Sequence, residues 1–402
     1  MKLTSQQIAE LVTPNRRPLV EGVTGSVVAR LSFEKAELLI IEGSNSKYIV
    51  APTLISHPEV RAVPGQGASF LLANSSTDSD SSFQWVWLEH STFTSERLLG
   101  VDQSNESVVL DERAIIKWQL FAEPSFGASK ELCLANNKFA EIPDVIGQLW
   151  WVDAKGTRRL IATISRFIEN STDGWTWYPK LLSSNTPEIE QIEKVAHLSA
   201  QMHKTLRQLG SDTFSRESVS ATRSSYSSQY ERLVSREILP QEPSVQKRIS
   251  MALEGLEFLV GQETQATHGD FHVGQLLEDD KGDLFVIDFD GDPLQTQDQQ
   301  REMKPIIFDL ASMVCSIIHA GMVSIKQGAD ASKIKSHIRI HIETYLDMYE
   351  SRSGGEPLDR ELLWNLVWLL EIRELDYANT FLQRWKYAPI GAIEYLKEQN
   401  GR

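Results

Sequence analysis

The back half of this 402-residue chain has the pattern of a helical domain that is interrupted once, by a short hairpin. From residue 186 onward, apolar residues recur at the three- and four-residue spacing of amphipathic helices. Within residues 273–288, two apolar runs on either side of an Asp- and Gly-containing turn predict a pair of short strands. Strand-like runs dominate the front half. These patterns predict an α+β protein with two lobes, one rich in strands and one mainly helical.

Three regions are expected along the chain. Residues 1–92 are predicted to form a small β-rich cap, and residues 93–183 a second β-rich segment with one helix. Residues 184–402 are predicted to form the helical lobe that carries the hairpin. The strands expected in the cap lie near residues 26–31, 36–41, 47–50, 69–72 and 83–87. The helices expected in the helical lobe begin near residue 186 and continue at about residues 217–236, 244–259, 305–325, 331–352 and 359–382.

Composition excludes several classes of protein. The formal net charge of −15 argues against a nucleic-acid binder, because phosphate backbones are neutralised by Lys and Arg. The two cysteines, Cys133 and Cys315, are far apart in apolar surroundings, which is typical of buried thiols in a reducing compartment. The N-terminal residues lack a secretion-signal pattern, and no uncharged apolar run reaches about 18 residues. We therefore expect a cytoplasmic protein without a membrane segment, either a monomer or a homodimer.

Acidic and amide side chains flank the hairpin at both ends. The segment before it reads H-G-D-F-H-V-G-Q, and the segment after it reads D-F-D-G-D. Such a hairpin would bring Asp270, Gln275, Asp288 and Asp290 to one end of a rigid ribbon. Oxygen ligands of this kind suit Mg²⁺, which takes one or two carboxylates together with phosphate oxygens and water.

This set of side chains fits phosphoryl transfer. That reaction needs a cation at the phosphates, metal ligands, and a carboxylate that accepts the proton of the attacking hydroxyl. The alternative is a surface turn with solvated acids, since Asp and Gly are common in turns. The joint occurrence of H-G-D, a Gln five residues after its Asp, and D-F-D after the second strand favours phosphoryl transfer.

The hairpin segment resembles the aminoglycoside-phosphotransferase-like kinase superfamily, and H-G-D-x-H-x-G-Q resembles its maltokinase and actinobacterial glucosamine kinase branch. The resemblance implies a protein-kinase-like fold with an N-terminal cap, and the use of ATP and Mg²⁺. It implies that Asp270 is the catalytic base and that Gln275 and Asp288 bind Mg²⁺, with Asp290 supporting the metal. Maltokinases have Glu where this chain has Asp290.

The same resemblance implies a nucleotide site and a support for the catalytic loop. The segment Q-S-N-E-S resembles the family's phosphate loop. In the family, a phosphate-binding Lys lies on a hairpin strand and its paired Glu lies on the next helix. A hinge segment contacts the adenine. A lone strand Lys could otherwise be a solvated edge charge. The residues implied for the nucleotide are Gln103, Ser104, Asn105, Ser107, Lys117, Glu131, Arg166 and Ile168. The residues implied for structural support are His268 and Asp309.

The acceptor site is expected to involve the last predicted helix. Glu371 and Glu374 share one helical face there, and Trp385 follows. Carboxylates bind hydroxyl or ammonium groups and rings stack on sugars, although an amphipathic surface helix would show the same spacing. The segment R-E-x-x-Y-A followed by L-Q-R-W-x-Y-x-P resembles the glucosamine kinases, whose pattern has Pro where this chain has Gln. The residues implied for the acceptor are Asp173, Trp175, His272, Glu371, Glu374 and Trp385.

These features predict a kinase that phosphorylates a sugar hydroxyl, with an aminosugar such as glucosamine as the expected acceptor. Two alternatives within the class are a maltokinase that makes maltose 1-phosphate and an aminoglycoside-type antibiotic phosphotransferase. A nucleotide-binding pseudokinase is an alternative from another class. The intact set Lys117, Asp270, Gln275 and Asp288 argues against a pseudokinase, which would usually have lost one of them.

Overall fold

The computed structural model describes residues 2–75, 82–99, 106–239, 242–292, 295, 297–354 and 357–399. The chain forms two compact units, one of Met1–Ala135 with Pro143–Glu169 and one of Asn136–Ile142 with Asn170–Arg402. The first contains an antiparallel sheet and the second is mainly helical, which confirms the predicted α+β class. The finer division at residues 92 and 183 stays a prediction.

The first unit is built on an 11-stranded sheet. Its strands are β1 Lys2–Leu3, β2 Gly25–Phe33, β3 Ala36–Gly43, β4 Tyr48–Leu54, β5 His57–Arg61, β6 Phe83–Trp87, β7 Glu96–Leu98, β8 Glu106–Leu110, β9 Ala114–Glu123, β10 Val145–Val152 and β11 Arg158–Arg166. Its helices are α1 Ser5–Glu10, α2 Ala68–Ala73 and α3 Gly127–Asn136. The main order is β1-β2-β3-β4-β9-β11-β10-β6, with β5 on β4, and with β8 on β9 followed by β7.

Strand β3 is buried on both faces. Leu38 and Ile40 point into a core that includes Trp118 of β9, whereas Leu39 and Ile41 point into a second core on the other face. A strand covered on both sides needs a continuous apolar run instead of alternation, and the sequence Leu-Leu-Ile-Ile meets this need. The sheet is therefore a central layer of the unit.

The strand predicted at residues 69–72 is wrong, because these residues belong to helix α2. A short apolar run cannot distinguish a buried strand from a buried helix. The deciding contact comes from Glu96, whose Oε1 accepts the N–H of Gly67 and whose Oε2 accepts the N–H of Phe70, each at 2.9 Å. This carboxylate satisfies N–H groups in the first turn of α2, and it lies more than twenty residues away in the sequence.

The second unit is mainly helical. Its helices are α4 Gly174–Ser183, α5 Ile189–Leu206, α6 Arg216–Ser235, α7 Pro243–Gly255, α8 Gln297–Arg301, α9 Ile307–Lys326, α10 Ala331–Ser353, α11 Arg360–Phe381 and α12 Tyr387–Glu398. Its strands are β12 Thr172–Asp173, β13 Ser211–Thr213, β14 Glu263–Gln265, β15 Leu276–Glu278 and β16 Leu284–Val286. The predicted hairpin is confirmed as β15 and β16, and the helices predicted from residue 217 onward are found within a few residues of their expected bounds. Helices α4, α8 and α12 were not predicted.

Helix α9 is the central helix of this unit. It is long and apolar enough to cross a membrane by length and composition alone, but 83% of its most apolar window is buried. Helices α4, α10, α11 and α12 pack around it. Such burial is typical of the core helix of a globular unit.

Helix α4 begins directly against the segment that precedes the hairpin. Strand β12 pairs with β15, and a Cβ atom at Gly174 would lie only 1.8 Å from the carbonyl oxygen of Val273. Any other residue at this position would force the two backbones apart. The glycine therefore allows Trp175, the next residue, to lie beside the hairpin segment.

Candidate active site

The loop before the hairpin is anchored by one buried carboxylate, Asp309, in the first turn of α9. Its Oδ2 accepts the backbone N–H of His268 (2.7 Å), and its Oδ1 accepts that of Gly269 (3.0 Å). The ring Nε2 of His203 lies 3.1 Å from Oδ2. Burial alone raises the pKa of Asp309, but these hydrogen bonds and the nearby histidine charges lower it below its usual value.

The buried ring of His268 connects this loop to the residue that follows the second strand of the hairpin. Its Nδ1 accepts the backbone N–H of Asp270 (3.3 Å), and its Nε2 lies 3.0 Å from the carbonyl oxygen of Ile287. Because Nδ1 is the acceptor, the proton of the neutral ring is on Nε2, which donates to that carbonyl. The ring thus fixes the backbone at Asp270 relative to the residue that precedes Asp288.

Asp270 is held as a carboxylate. Nε2 of His272 lies 3.6 Å from its Oδ2, and Nδ1 of His272 accepts the N–H of Gly274, so that Nε2 carries the proton of the neutral ring. Burial alone raises the pKa of Asp270, but the hydrogen bond and charge of His272, followed by the charge of Arg373, lower it to about 2. The side chain is therefore ionised at neutral pH.

Gln275 and Asp288 occupy adjacent positions at one end of the hairpin. The N–H of Ile287 donates to the carbonyl oxygen of Gln275 at 2.9 Å, and the ladder continues with Leu276 opposite Val286. Asp288 follows directly, with a φ of 65° in the left-handed region, which is uncommon for a residue other than glycine. The side-chain amide of Gln275 lies 3.4 Å from Nε2 of His272.

The donor set at this end of the hairpin fits a magnesium ion. Gln275, Asp288 and Asp290 offer amide and carboxylate oxygens, the ligand class that Mg²⁺ prefers. Among the described residues, no cluster of three or more His, Cys, Asp or Glu side chains could hold a metal by itself. This combination suits an ion that is bound by one or two protein groups and completed by phosphate oxygens and water.

A cavity of about 470 Å³ opens beside Asp270, entirely within the helical unit. Its size is typical of a small-molecule site. Aromatic rings form part of its wall: Trp175 and Trp385 meet edge to face, with centroids 5.2 Å apart, and the ring of His272 lies 5.7 Å from that of Trp175. Tyr377 lies on the same wall.

Charged groups in this cavity are arranged around Arg373. Its Nη1 donates to Oδ2 of Asp292 (3.0 Å), and its Nη2 donates to Oε1 of Glu374 (2.8 Å). Burial alone lowers the pKa of Arg373, but Glu374 and Asp292 raise it above its usual value. Asp270, Asp292 and Glu374 thus line the cavity as three carboxylates. The guanidinium of Arg373 hydrogen-bonds Asp292 and Glu374, and its charge also acts on Asp270.

His319 also lines the cavity, on α9. Its Nε2 lies 2.7 Å from Oε2 of Glu371, which is fully buried behind it. Burial alone lowers the pKa of His319, but the charge and hydrogen bond of Glu371 raise it above its usual value. The edge of the imidazole faces Trp385, with ring centroids 6.4 Å apart.

Within the first unit, Lys117 lies on β9 directly opposite Ser107 of β8 and Thr163 of β11. Directly opposed residues of antiparallel strands project from the same face, so the ammonium group and the hydroxyls share one side of the sheet. Glu131 lies on α3, the helix that follows β9.

Comparison with known proteins supplies the relatives of this chain. No protein-family model matches it. A glucosamine kinase of Streptacidiphilus jiangxiensis is 29% identical over 318 residues, which are 74% of this chain and 72% of the relative. A glucosamine kinase of Mycolicibacterium smegmatis is 26% identical over 366 residues, which are 84% of this chain and 90% of the relative.

Solved structures of glucosamine kinases are also similar to this chain. One of them matches with a TM-score of 0.80 and 26% identity, over 98% of this chain and 97% of the other. This chain is therefore similar in sequence and in fold to glucosamine kinases, the branch that its hairpin segment resembles. A glucosamine kinase in complex with glucosamine, ADP and inorganic phosphate shares the fold, with a TM-score of 0.78 and 24% identity over 93% of each chain.

The family resemblance predicted six acceptor residues for a member of this branch, and the structure separates them. Trp175, His272, Glu374 and Trp385 line the cavity. Glu371 does not line it, because it is fully buried behind His319. Asp173 is an exposed cap of α4, where it accepts the N–H of Thr176 (3.0 Å), and it does not line the cavity either. Both residues are therefore placed in supporting positions.

The nucleotide residues expected for such a kinase are only partly described. Gln103, Ser104 and Asn105 lie outside the described residues. Arg166 is exposed at the end of β11, and its Nε donates to Oδ2 of Asp144 (2.7 Å). Ile168 is half-buried two residues further on.

Three cavity residues of this kinase were missed in the sequence. Arg373 stands between the two glutamates that were considered, and Asp292 ends the D-F-D-G-D segment, so both were within reach of the motif analysis. His319 gave a weaker signal: it is one of few polar residues in an otherwise apolar helical run.

The buried contacts of Asp309 should contribute strongly to the stability of the fold. Replacing this carboxylate in Asp309→Asn should lower the free energy of unfolding at pH 7 by about 3 kcal/mol, because it breaks a buried charged hydrogen-bond network. The lowered pKa means that the carboxylate stabilises the fold above its unfolded pKa of about 3.9 and loses this effect as the pH falls through its folded pKa. The difference in the free energy of unfolding between Asp309→Asn and wild type should therefore become smaller below about pH 4.

Urea denaturation at pH 7 and at pH 3.5 measures this difference. The exposed helix cap Asp330 provides a matched control, since Asn caps as well as Asp and Asp330→Asn should change stability little. Equal unfolding of Asp309→Asn and wild type at pH 7 would contradict the anchoring role.

Proposed function

We propose that this protein transfers a phosphoryl group from ATP to a hydroxyl of an aminosugar, with glucosamine as the acceptor. The observation that carries the proposal is the ionised Asp270 in the wall of a cavity that also contains Trp175, Trp385 and Glu374. The glucosamine kinase relatives support the same acceptor, and the solved complex with glucosamine and ADP supports ATP as the donor. A cytoplasmic location and a monomeric or homodimeric state stay predictions.

The charge of the cavity favours a cationic acceptor. Among its lining residues, three carboxylates face one guanidinium. An ammonium group can make charge-assisted hydrogen bonds with such carboxylates, and these bonds are stronger than those of a neutral hydroxyl. Glu374 is the best candidate to bind the ammonium group. Among the described residues, Arg373 contacts only Oε1 of Glu374, and this contact orients the other carboxylate oxygen, Oε2.

Asp270 is proposed to bind and orient the acceptor hydroxyl and to take its proton as the new bond to phosphorus forms. A pKa of about 2 makes the carboxylate a weak base for a free hydroxyl. In a loose phosphoryl-transfer transition state, however, positioning contributes more than early proton removal. His272 keeps the carboxylate charged, and the anchor at Asp309 keeps its backbone in place.

Gln275 and Asp288 are proposed to hold Mg²⁺, with Asp290 in support. The ion would neutralise charge on the phosphates of the donor. The protein groups themselves are held by the hairpin: the backbone hydrogen bond between Ile287 and Gln275 keeps the two ligand positions adjacent. The left-handed backbone of Asp288 is a strained feature of the kind that occurs at functional sites.

Lys117 is proposed to bind the donor phosphates. The Ser107 hydroxyl on the same side of the sheet supports this role, because hydroxyls and ammonium groups are both phosphate donors. Glu131 is proposed to orient the lysine. Gln103, Ser104, Asn105, Arg166 and Ile168 stay predicted nucleotide contacts.

The first test concerns the base. Asp270→Asn should reduce turnover by roughly 100-fold or more, because the amide cannot accept the proton, while the Michaelis constant for ATP stays near that of wild type. Steady-state kinetics with glucosamine measure both constants, and Asp330→Asn is the control. Turnover within a few-fold of wild type would show that Asp270 is not the base.

The second test concerns the donor side. Asp288→Ala should abolish metal-dependent nucleotide binding, and Gln275→Ala should weaken it less, since a neutral ligand contributes less charge. Lys117→Met should raise the Michaelis constant for ATP and lower turnover. Calorimetric titration with a non-hydrolysable ATP analogue is carried out once with Mg²⁺ and once with a chelator. The comparison separates metal-dependent from metal-independent nucleotide binding. Equal Mg²⁺ dependence in wild type and Asp288→Ala would reject this metal site.

The third test concerns the acceptor. Wild-type protein should phosphorylate glucosamine much better than glucose, maltose or kanamycin. Glu374→Gln should lower kcat/KM for glucosamine by roughly 10-fold or more and for glucose by less, because only glucosamine loses a charge pair. Glu361→Gln, at an exposed position on the same helix, is the matched control. Maltose turned over as well as glucosamine would favour the maltokinase alternative.

A further inference from the structure

We propose that His319 binds a hydroxyl of the acceptor sugar through Nδ1, while Glu371 holds the ring in place through Nε2. This inference rests on the proposed sugar kinase function and deepens it, because it assigns a second binding group in addition to the ammonium subsite. His319 would then determine how the sugar is oriented, and hence which hydroxyl meets Asp270.

The two nitrogens of His319 are in different environments. Nε2 is used by Glu371, 2.7 Å away and fully buried. Within the described part of the chain, Nδ1 makes no hydrogen bond. Some described polar atoms are buried without a hydrogen-bond partner, and Nδ1 is not one of them. Because His319 lines the cavity, a sugar bound there can reach this residue, whose Nδ1 is available for a hydrogen bond.

The Glu371 carboxylate also decides what Nδ1 can do. It raises the pKa of His319, which favours the ring form protonated on both nitrogens. In that form Nδ1 is a donor, and its partner must be an oxygen atom with lone pairs. A hydroxyl oxygen meets this requirement, and a hydroxyl can also donate to Nδ1 of the neutral ring, so the His319 side of the cavity can bind a sugar hydroxyl in either ring form.

Two side chains of the cavity wall are therefore suited to different groups. On α11, Glu374 lines the cavity beside Arg373, whereas Glu371 is one turn earlier and acts through His319 of α9. A sugar with one ammonium group and several hydroxyls offers a partner to both Glu374 and His319. Trp385 contacts the rings of both His319 and Trp175 and forms part of the same wall.

Substitutions at His319 can separate the two nitrogens. His319→Asn keeps a polar group near the position of Nδ1, and His319→Gln keeps one near the position of Nε2, where it can still contact Glu371. We expect His319→Gln to raise the Michaelis constant of both glucosamine and glucose by roughly 10-fold and to leave that of ATP unchanged. His319→Asn should raise it less. Glu374→Gln, in contrast, should affect glucosamine selectively.

A series of monodeoxy glucose analogues gives the decisive measurement. With wild-type protein, removal of the hydroxyl that His319 binds should lower kcat/KM by roughly 10-fold, and with His319→Gln the same removal should have little effect. The comparison is made within each variant, so a partial loss of folded protein cancels. Glu371→Gln should also weaken this coupling, because it lowers the charge on the ring.

The outcomes distinguish this inference from the function on which it rests. Equal deoxy-sugar penalties in wild type and in both His319 variants would overturn the role of His319 and leave the kinase function intact. Failure of wild-type protein to phosphorylate any of the sugars, in the presence of ATP and Mg²⁺, would overturn both.

Discussion

Two backbone N–H groups point at the carboxylate of Asp309, and the geometry of the candidate site depends on this contact. The carboxylate is part of the core helix α9, and the N–H groups belong to His268 and Gly269 in the loop that carries Asp270. A buried carboxylate without such donors would be costly, so helix and loop stabilise each other. His268 extends the connection to Ile287, which follows the second strand of the hairpin and pairs with Gln275. One buried charge thus fixes Asp270, the proposed base, together with the adjacent positions of the proposed metal ligands.

The acceptor cavity illustrates how charges can be concentrated without being left unpaired. Arg373 bridges Asp292 and Glu374, so one guanidinium compensates two carboxylates. Asp270 is kept ionised by His272 and by the same guanidinium. Removing one partner of such a buried network leaves an uncompensated charge, which costs more than the net contribution of any single pair. The network therefore holds the cavity in one arrangement before a ligand enters.

The acidic face of α11 shows where sequence reasoning reached its limit. Glu371 and Glu374 are three residues apart and belong to one broad face of the helix, as the spacing predicted. That face nevertheless meets two environments, since Glu371 packs against α9 and Glu374 faces the cavity. Helical periodicity predicts the direction in which each side chain points from the helix axis. It does not predict which part of that face a neighbouring helix covers. The pairing of Glu371 with His319 follows only from the packing of α9 on α11.

The sequence by itself determined the α+β class, the hairpin of β15 and β16, the positions of the later helices and the resemblance to the glucosamine kinase branch. These features are local, because periodicity, turn residues and a contiguous motif are read within a short segment. The tertiary structure decided that residues 68–73 form a helix, since the capping carboxylate of Glu96 comes from a distant part of the chain. It also decided that Asp173 is a helix cap and that His319, Asp292 and Arg373 face the acceptor cavity. Each of these assignments depends on a contact between residues that are far apart in sequence, and such contacts exist only once the helices and strands have packed.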